Sequence, residues 1–195
     1  MNQQLQAINF VRNRLDEQLQ MHWSAMFALA YENTLSAARY ANHLLQYGHI
    51  LIDLCVQINA LPAYTGRRLH KAWDASKNLH KEMSHCRNAK TVHDGIPDAD
   101  YDVVMQYFTA GAEEQCNKLL VEIRNDQHEN EHVRMALLRK FMSTVEAAFD
   151  LELIEQDKLS EAYQVLNAYW TRDDTTDTVR FVEMEGEKDG YSHPN

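Results

Sequence analysis

Glycine and proline are scarce, with six and three copies in 195 residues. Chains dense in turns use both, because they supply the backbone angles and stops that turns require. Strand-like alternation of apolar and polar residues is nearly absent as well. Together these favour long helices joined by few connections. Cysteine is also sparse: Cys55, Cys86 and Cys116 are odd in number, far apart and without metal-ligand spacing. They fit a reduced cytosolic protein with buried thiols. Arg87 beside Cys86 is placed to lower that thiol's pKa, although a structural cysteine is the expected role. No apolar run can span a bilayer, since the strongest, Ile50 to Val56, is broken by Asp53. The start, Met1-Asn2-Gln3-Gln4-Leu5, has no basic segment leading into an apolar core, so no secretion signal is expected and the expected location is the cytoplasm. No glycine-rich phosphate loop points to nucleoside-triphosphate chemistry.

Positive charge is rare overall and concentrated where it occurs. The chain carries a net charge of −10, yet residues 65–93 hold seven Lys or Arg (Arg67, Arg68, Lys71, Lys77, Lys81, Arg87, Lys90) against Asp74 and Glu82. Four histidines, His70, His80, His85 and His93, lie in the same segment. An acidic body repels nucleic acid except at such a face. A single helix with a solvated basic side is the plainer explanation of the same count.

Apolar residues recur at helical spacing almost throughout. Leu5, Ile8, Val11, Leu15 and Leu19 define a first helix. Trp23, Phe27, Ala30, Thr34, Ala37, Ala41 and Leu44 follow as a second run, whose small residues allow close helix approach; Gly48 is expected to end or kink it. Leu51, Leu54, Ile58 and Leu61 form a shorter helix stopped before Pro62. Thr65 is expected to cap a basic helix, with Leu69, Trp73, Leu79, Met83 and Cys86 as its stripe, running to about residue 93. Asp94-Gly95-Ile96-Pro97-Asp98 is the clearest break, and Asp98 or Asp100 can cap the helix after it. Further helices carry Tyr101 to Ile123, Val133 to Leu153, and Leu159 to Trp170.

The predicted fold is therefore all-α: an antiparallel helix bundle over residues 1–128, a C-terminal helical pair over 129–170 and a weakly ordered acidic tail over 171–195. A short β segment at 178–183 is weakly supported. Trp23, Phe27, Trp73 and Phe108 are core positions that need no cofactor.

Arg87-Asn88-Ala89-Lys90-Thr91-Val92-His93 closes the basic stretch and combines a guanidinium with an imidazole. On an ideal helix these two lie about 120° apart and about 9 Å along the axis, so a compact site needs a bend or a second copy of the motif. A two-fold dimer brings the same patch of both chains together. Histidine exchanges a proton near neutral pH; arginine grips phosphate through its planar fork and stabilises developing charge. With RNA's own 2′-hydroxyl as nucleophile, no metal or other cofactor is required.

This pattern, a helical bundle with Arg-Asn and then His, resembles the HEPN superfamily. Its signature is Arg, four to six residues, then His, often with Asn directly after Arg; Arg87, Asn88 and His93 match with five intervening residues. The Asp94-Gly95 turn that follows is similar too. The resemblance covers about residues 24–125. It implies a homodimeric, metal-independent endoribonuclease acting on RNA, of a kind found in toxin–antitoxin and anti-phage defence systems, with an antitoxin or other regulatory protein as partner and no membrane association. It assigns His93 as general acid/base, Arg87 to phosphate and the transition state, and Asn88 to positioning. Lys90, His85 and Lys81 add substrate binding, and Glu32, expected in the preceding helix, orients or pairs Arg87. A purely structural role for Arg87 and His93 is the competing assignment. Because some members of this superfamily are inactive, the second function is a non-catalytic interaction or inhibitor protein whose acidic surface binds a basic partner.

Other motifs are weaker. His128-Glu129-Asn130-Glu131-His132 matches the zinc-peptidase pattern His-Glu-x-x-His, with Glu152 or Glu155 as third ligand. It falls in a polar linker with no neighbouring sheet, and incidental surface histidines explain it better. His80 and His85 are five apart, which is poor spacing for one helix face. Glu113, Glu114, Glu122 and Asp126 loosely resemble the carboxylates of helical nucleotide pyrophosphatases but lack the second metal-binding pair.

Overall fold

The computed structural model describes residues 3–32, 34–75, 79–88, 95–125 and 131–170. Among these, every regular element is helical: α1 (Gln3–Ala30), α2 (Leu35–Gln57), α3 (Ala63–Asp74), α4 (Leu79–Asn88), α5 (Tyr101–Asn125), α6 (Glu131–Asp150) and α7 (Gln156–Trp170). The all-α bundle is as the periodicity predicts, and none of its helices is long and apolar enough to cross a membrane. The acidic tail and the segment 178–183 lie outside the described residues.

The first two helices divide differently from expectation. α1 continues through Trp23 and Phe27 to Ala30, and the chain turns at Tyr31 and Glu32. Thr34 is not a core position. It is extended and accepts a hydrogen bond from the Ala37 amide through Oγ1 at 3.1 Å, which caps α2. The stripe of Ala30, Thr34 and Ala37 runs across this break at helical spacing, which conceals it. α1 buries Ala7, Ile8, Val11, Leu15 and Leu19, and nothing beyond Leu19. Its last turns, with the start of α2, form a hairpin tip that exposes Phe27, Tyr31, Leu35 and Tyr40.

Gly48 neither ends nor kinks α2; it lies inside the helix and is buried. A β-carbon there would sit 2.3–2.5 Å from the indole of Trp73. Trp73 is fully buried, and its Nε1 donates to the Leu45 carbonyl at 2.8 Å. Glycine at 48 is thus the contact that brings α3 onto α2. α2 ends instead at Gln57 with Ile58 as its cap; Asn59, just beyond, takes a left-handed φ of 66° while the Leu61 amide donates to the Cys55 carbonyl. Asn59 reaches Tyr107 of α5 through its side chain. α3 begins at Pro62, not Thr65, with no side-chain cap. Asp100 caps α5, accepting from the Val103 amide.

Two cores result. The larger gathers α1–α5 around Leu15, Leu51, Trp73 and Phe108, joined by Ala147 and Ala148 from the end of α6 and by Leu151 and Leu153 from the turn after it. The smaller joins the second half of α5 to α6 and α7 through Leu119, Ile123, Leu138, Phe141 and Leu159. Tyr47 ties α2 to α6 by donating to Asp150 at 2.6 Å; burial, then that carboxylate, pushes its phenol pKa well up.

Gly48→Ala tests the α2–α3 contact. Alanine favours helix, but the buried indole has no room to yield. Such overpacking costs about 1–3 kcal/mol, read as a thermal midpoint roughly 3–10 °C lower. An unchanged midpoint would show that α3 does not rest on this glycine.

Candidate functional site

The basic segment folds as α3 and α4 rather than one helix, with α3 ending at Asp74 and its cap at Ala75. Gly66, Leu69, Ala72 and Trp73 face the core from α3, and Leu79, Met83 and Cys86 from α4. The apolar stripe predicted for the segment is therefore buried, and the polar positions between face outward. Arg67, Lys71, His80, Lys81 and His85 are exposed. Lys81 and His85 are one turn apart and share a face of α4; His80 does not pair with them.

Not all of the charge is available to a ligand. Arg68 bonds Glu82 at 2.7 Å across α3 and α4 and lies over the Tyr64 ring. The Glu82 hydrogen bond holds the Arg68 guanidinium pKa above its usual value. This pair staples the two helices and neutralises one cation of the patch.

The end of α4 is fixed from beneath by a residue that periodicity alone does not flag. Arg12 of α1 is 1% exposed. Its Nη1 donates to the Cys86 carbonyl at 3.0 Å and its Nε to the Ala60 carbonyl at 2.9 Å. Burial lowers the pKa of this guanidinium, with the neighbouring Cys86 and Cys55 opposing. It serves the bundle from inside, as does buried Asp16 one turn on, which accepts from Gln20. Cys86 is itself buried, and its thiol pKa is pushed up to about 11 because desolvation outweighs the nearby arginines. The lowering by Arg87 suggested by adjacency does not prevail, and the thiol is structural.

Arg87 and Asn88 form the last residues of α4, where the negative end of the helix dipole favours a cation. Their side chains, together with Lys90 and His93, lie outside what the structure describes. Glu32 is in the turn after α1, exposed, rather than within a helix. His128, Glu129 and Asn130 also lie outside the described residues, while His132 is exposed in the first turn of α6. Among the described residues no three or more His, Cys, Asp or Glu side chains converge as a metal cage.

One cluster on the neighbouring face was not singled out by sequence reasoning. His49 and His70 meet edge to edge, with ring centroids 5.0 Å apart, ring planes 26° apart and their Nδ1 atoms 2.7 Å apart. His49 Nε2 contacts Asp74 at 2.8 Å, and His70 Nε2 contacts Asp53 at 2.9 Å. The available signal was His-x-x-x-Asp, present once in α2 and once in α3.

These features define a class, an all-α bundle with a basic two-helix face on an acidic chain. No protein-family model matches the chain, and no curated protein or solved structure is significantly similar to it.

Arg12→Met tests how α4 is held. It leaves two inward carbonyls short of a donor, at about 1–3 kcal/mol each. A lower urea midpoint and faster amide hydrogen exchange across α4 are expected. Unchanged exchange in α4 would mean that its end is secured by other groups.

Proposed function

We propose that the chain is a metal-independent endoribonuclease of HEPN type, active as a homodimer. The observation that carries this reading is the position of Arg87-Asn88 at the end of α4, six residues before His93, beside the exposed cations of α3 and α4. In the proposed reaction, His93 removes the proton from a 2′-hydroxyl, and the resulting oxyanion attacks the adjacent phosphorus. Arg87 stabilises the charge that builds on the phosphoryl oxygens. The imidazolium, or its counterpart in the second chain, protonates the leaving 5′-oxygen. The products are a 2′,3′-cyclic phosphate and a 5′-hydroxyl. Asn88 positions substrate, and Lys81, His85 and Lys90 draw the polyanion to the cleft. A role as toxin or defence component, with an antitoxin or regulatory partner, belongs to the same resemblance; the proposed cytoplasmic location rests on the lack of a signal-like start.

A second reading, a non-catalytic interaction protein, is favoured by the hairpin tip. Trp23, Phe27 and Tyr31 form a continuous aromatic ladder there, with Phe27 53% and Tyr31 76% exposed. Contiguous exposed apolar surface of this kind marks an interaction site.

The two readings separate on one experiment. Incubated with single-stranded RNA in EDTA, the purified chain should yield cyclic-phosphate ends. His93→Ala and Arg87→Ala should each reduce the rate by about 10²–10⁴, the range for loss of a positioned acid–base group or of a donor to transition-state charge. Circular dichroism of both variants should be unchanged. Absence of cleavage by the parent chain, or equal cleavage by both variants, would leave the interaction protein.

A further inference from the structure

The geometry points to a binding site for a divalent transition-metal ion between His49 and His70, on the α2–α3 face. It does not depend on the ribonuclease reading. Four side chains build it from two copies of one spacing. His49 and Asp53 are one turn apart on α2, and His70 and Asp74 are one turn apart on α3. They pair crosswise, each histidine meeting the carboxylate of the other helix through Nε2. Histidine that ligates a metal through one ring nitrogen characteristically gives its other N–H to a carboxylate, which fixes the tautomer and the ring orientation. Both rings satisfy that condition here. Both therefore present Nδ1 to the same point, 2.7 Å apart.

Hydrogen-bond bookkeeping shows what that point requires. With each Nε2–H committed to a carboxylate, two neutral imidazoles turn lone pairs toward each other, and two imidazolium ions turn protons toward each other. Only an electrophile between the Nδ1 atoms removes the conflict. A single shared proton does so and leaves the four groups with one negative charge. A divalent cation does so and leaves them neutral. Imidazole is a favoured ligand for Zn²⁺, Ni²⁺ and Cu²⁺. Tetrahedral coordination at about 2.0–2.1 Å would place the two nitrogens about 3.3 Å apart, so the Nδ1 atoms, which now face each other head-on, need to part by roughly 0.6 Å and the rings to tilt toward a shared ion. The side chains of His49 and His70 are 23% and 25% exposed, which gives an ion a path and leaves water to complete the coordination. With two protein ligands, the site differs from the three-ligand cages absent among the described residues. The rings sit directly beside the close Gly48–Trp73 contact, since Gly48 precedes His49 and Trp73 precedes Asp74. That contact fixes the helix separation, so the ring movement comes from rotation of the two side chains about their own bonds.

Zn²⁺ alone is the probe, titrated calorimetrically into the tag-free full chain. The expected result is one bound equivalent that disappears in His49→Ala and in His70→Ala. Asp53→Asn with Asp74→Asn should retain that equivalent at 10- to 100-fold lower affinity. Nitrogen-15 spectra of the histidine rings of the unaltered chain provide a readout independent of any variant. Zn²⁺ should shift Nδ1 of His49 and His70 while their Nε2–H signals persist. Stoichiometry unchanged in both alanine variants would overturn the site. So would ring shifts confined to other histidines, or a shared-proton signal between His49 and His70 that Zn²⁺ does not displace.

Discussion

The bundle depends on a guanidinium placed where a hydrocarbon would ordinarily go. Arg12 falls on the buried stripe of α1, one position after Val11, and is almost wholly shielded from water. A buried charge is tolerated only when its donors are used. Two of them go to carbonyls at the ends of other elements, Ala60 after α2 and Cys86 in the last turn of α4. Helix ends leave carbonyls without partners, and here one side chain serves two such ends at once. α4 is short, so its placement owes much to this tie. The segment bearing Arg87 and Asn88 thus begins from an anchored point.

The α2–α3 face is ordered by a different device. Gly48 removes a side chain so that Trp73 can enter, and the indole N–H is satisfied by Leu45. That contact sets the spacing across which His49 and His70 meet. Steric exclusion on the inner side of the two helices and a polar network on the outer side are thereby coupled through one backbone distance.

Much of the fold was legible. Most of the apolar stripes of α1, α5, α6 and α7 are buried or half-buried, although Leu5, Val133 and Tyr163 are exposed, and the Asp100 cap was readable from the break before it. What was not legible had physical causes. The α1–α2 turn hides because Ala30, Thr34 and Ala37 keep helical spacing across it, although Thr34 is a cap. Gly48 carries the composition of a helix end, and only its distant partner Trp73 explains why it lies inside one. The division of the basic segment at Asp74 is marked locally by the six-residue step from Trp73 to Leu79, which falls about 120° off a helical face and is passed over when Leu69 to Met83 are taken as one stripe. The Arg87–His93 motif is conspicuous in sequence because its members are neighbours in the chain. The His49–His70 cluster is inconspicuous for the opposite reason: its members lie 21 residues apart and converge only when α3 folds back on α2.

The sharing of α6 between two apolar interiors has a consequence for how the molecule can be divided. Its middle turns close one interior with α7, and its last turn, with Leu151 and Leu153 just after it, seals the other through Ala147 and Ala148. A shortened chain stopping in the polar stretch after α5 would remove Ala147, Ala148, Leu151 and Leu153 from the larger interior and open it to solvent on that side. The end of α6 and the turn after it are thus a structural cover for the N-terminal helices rather than a detachable appendix.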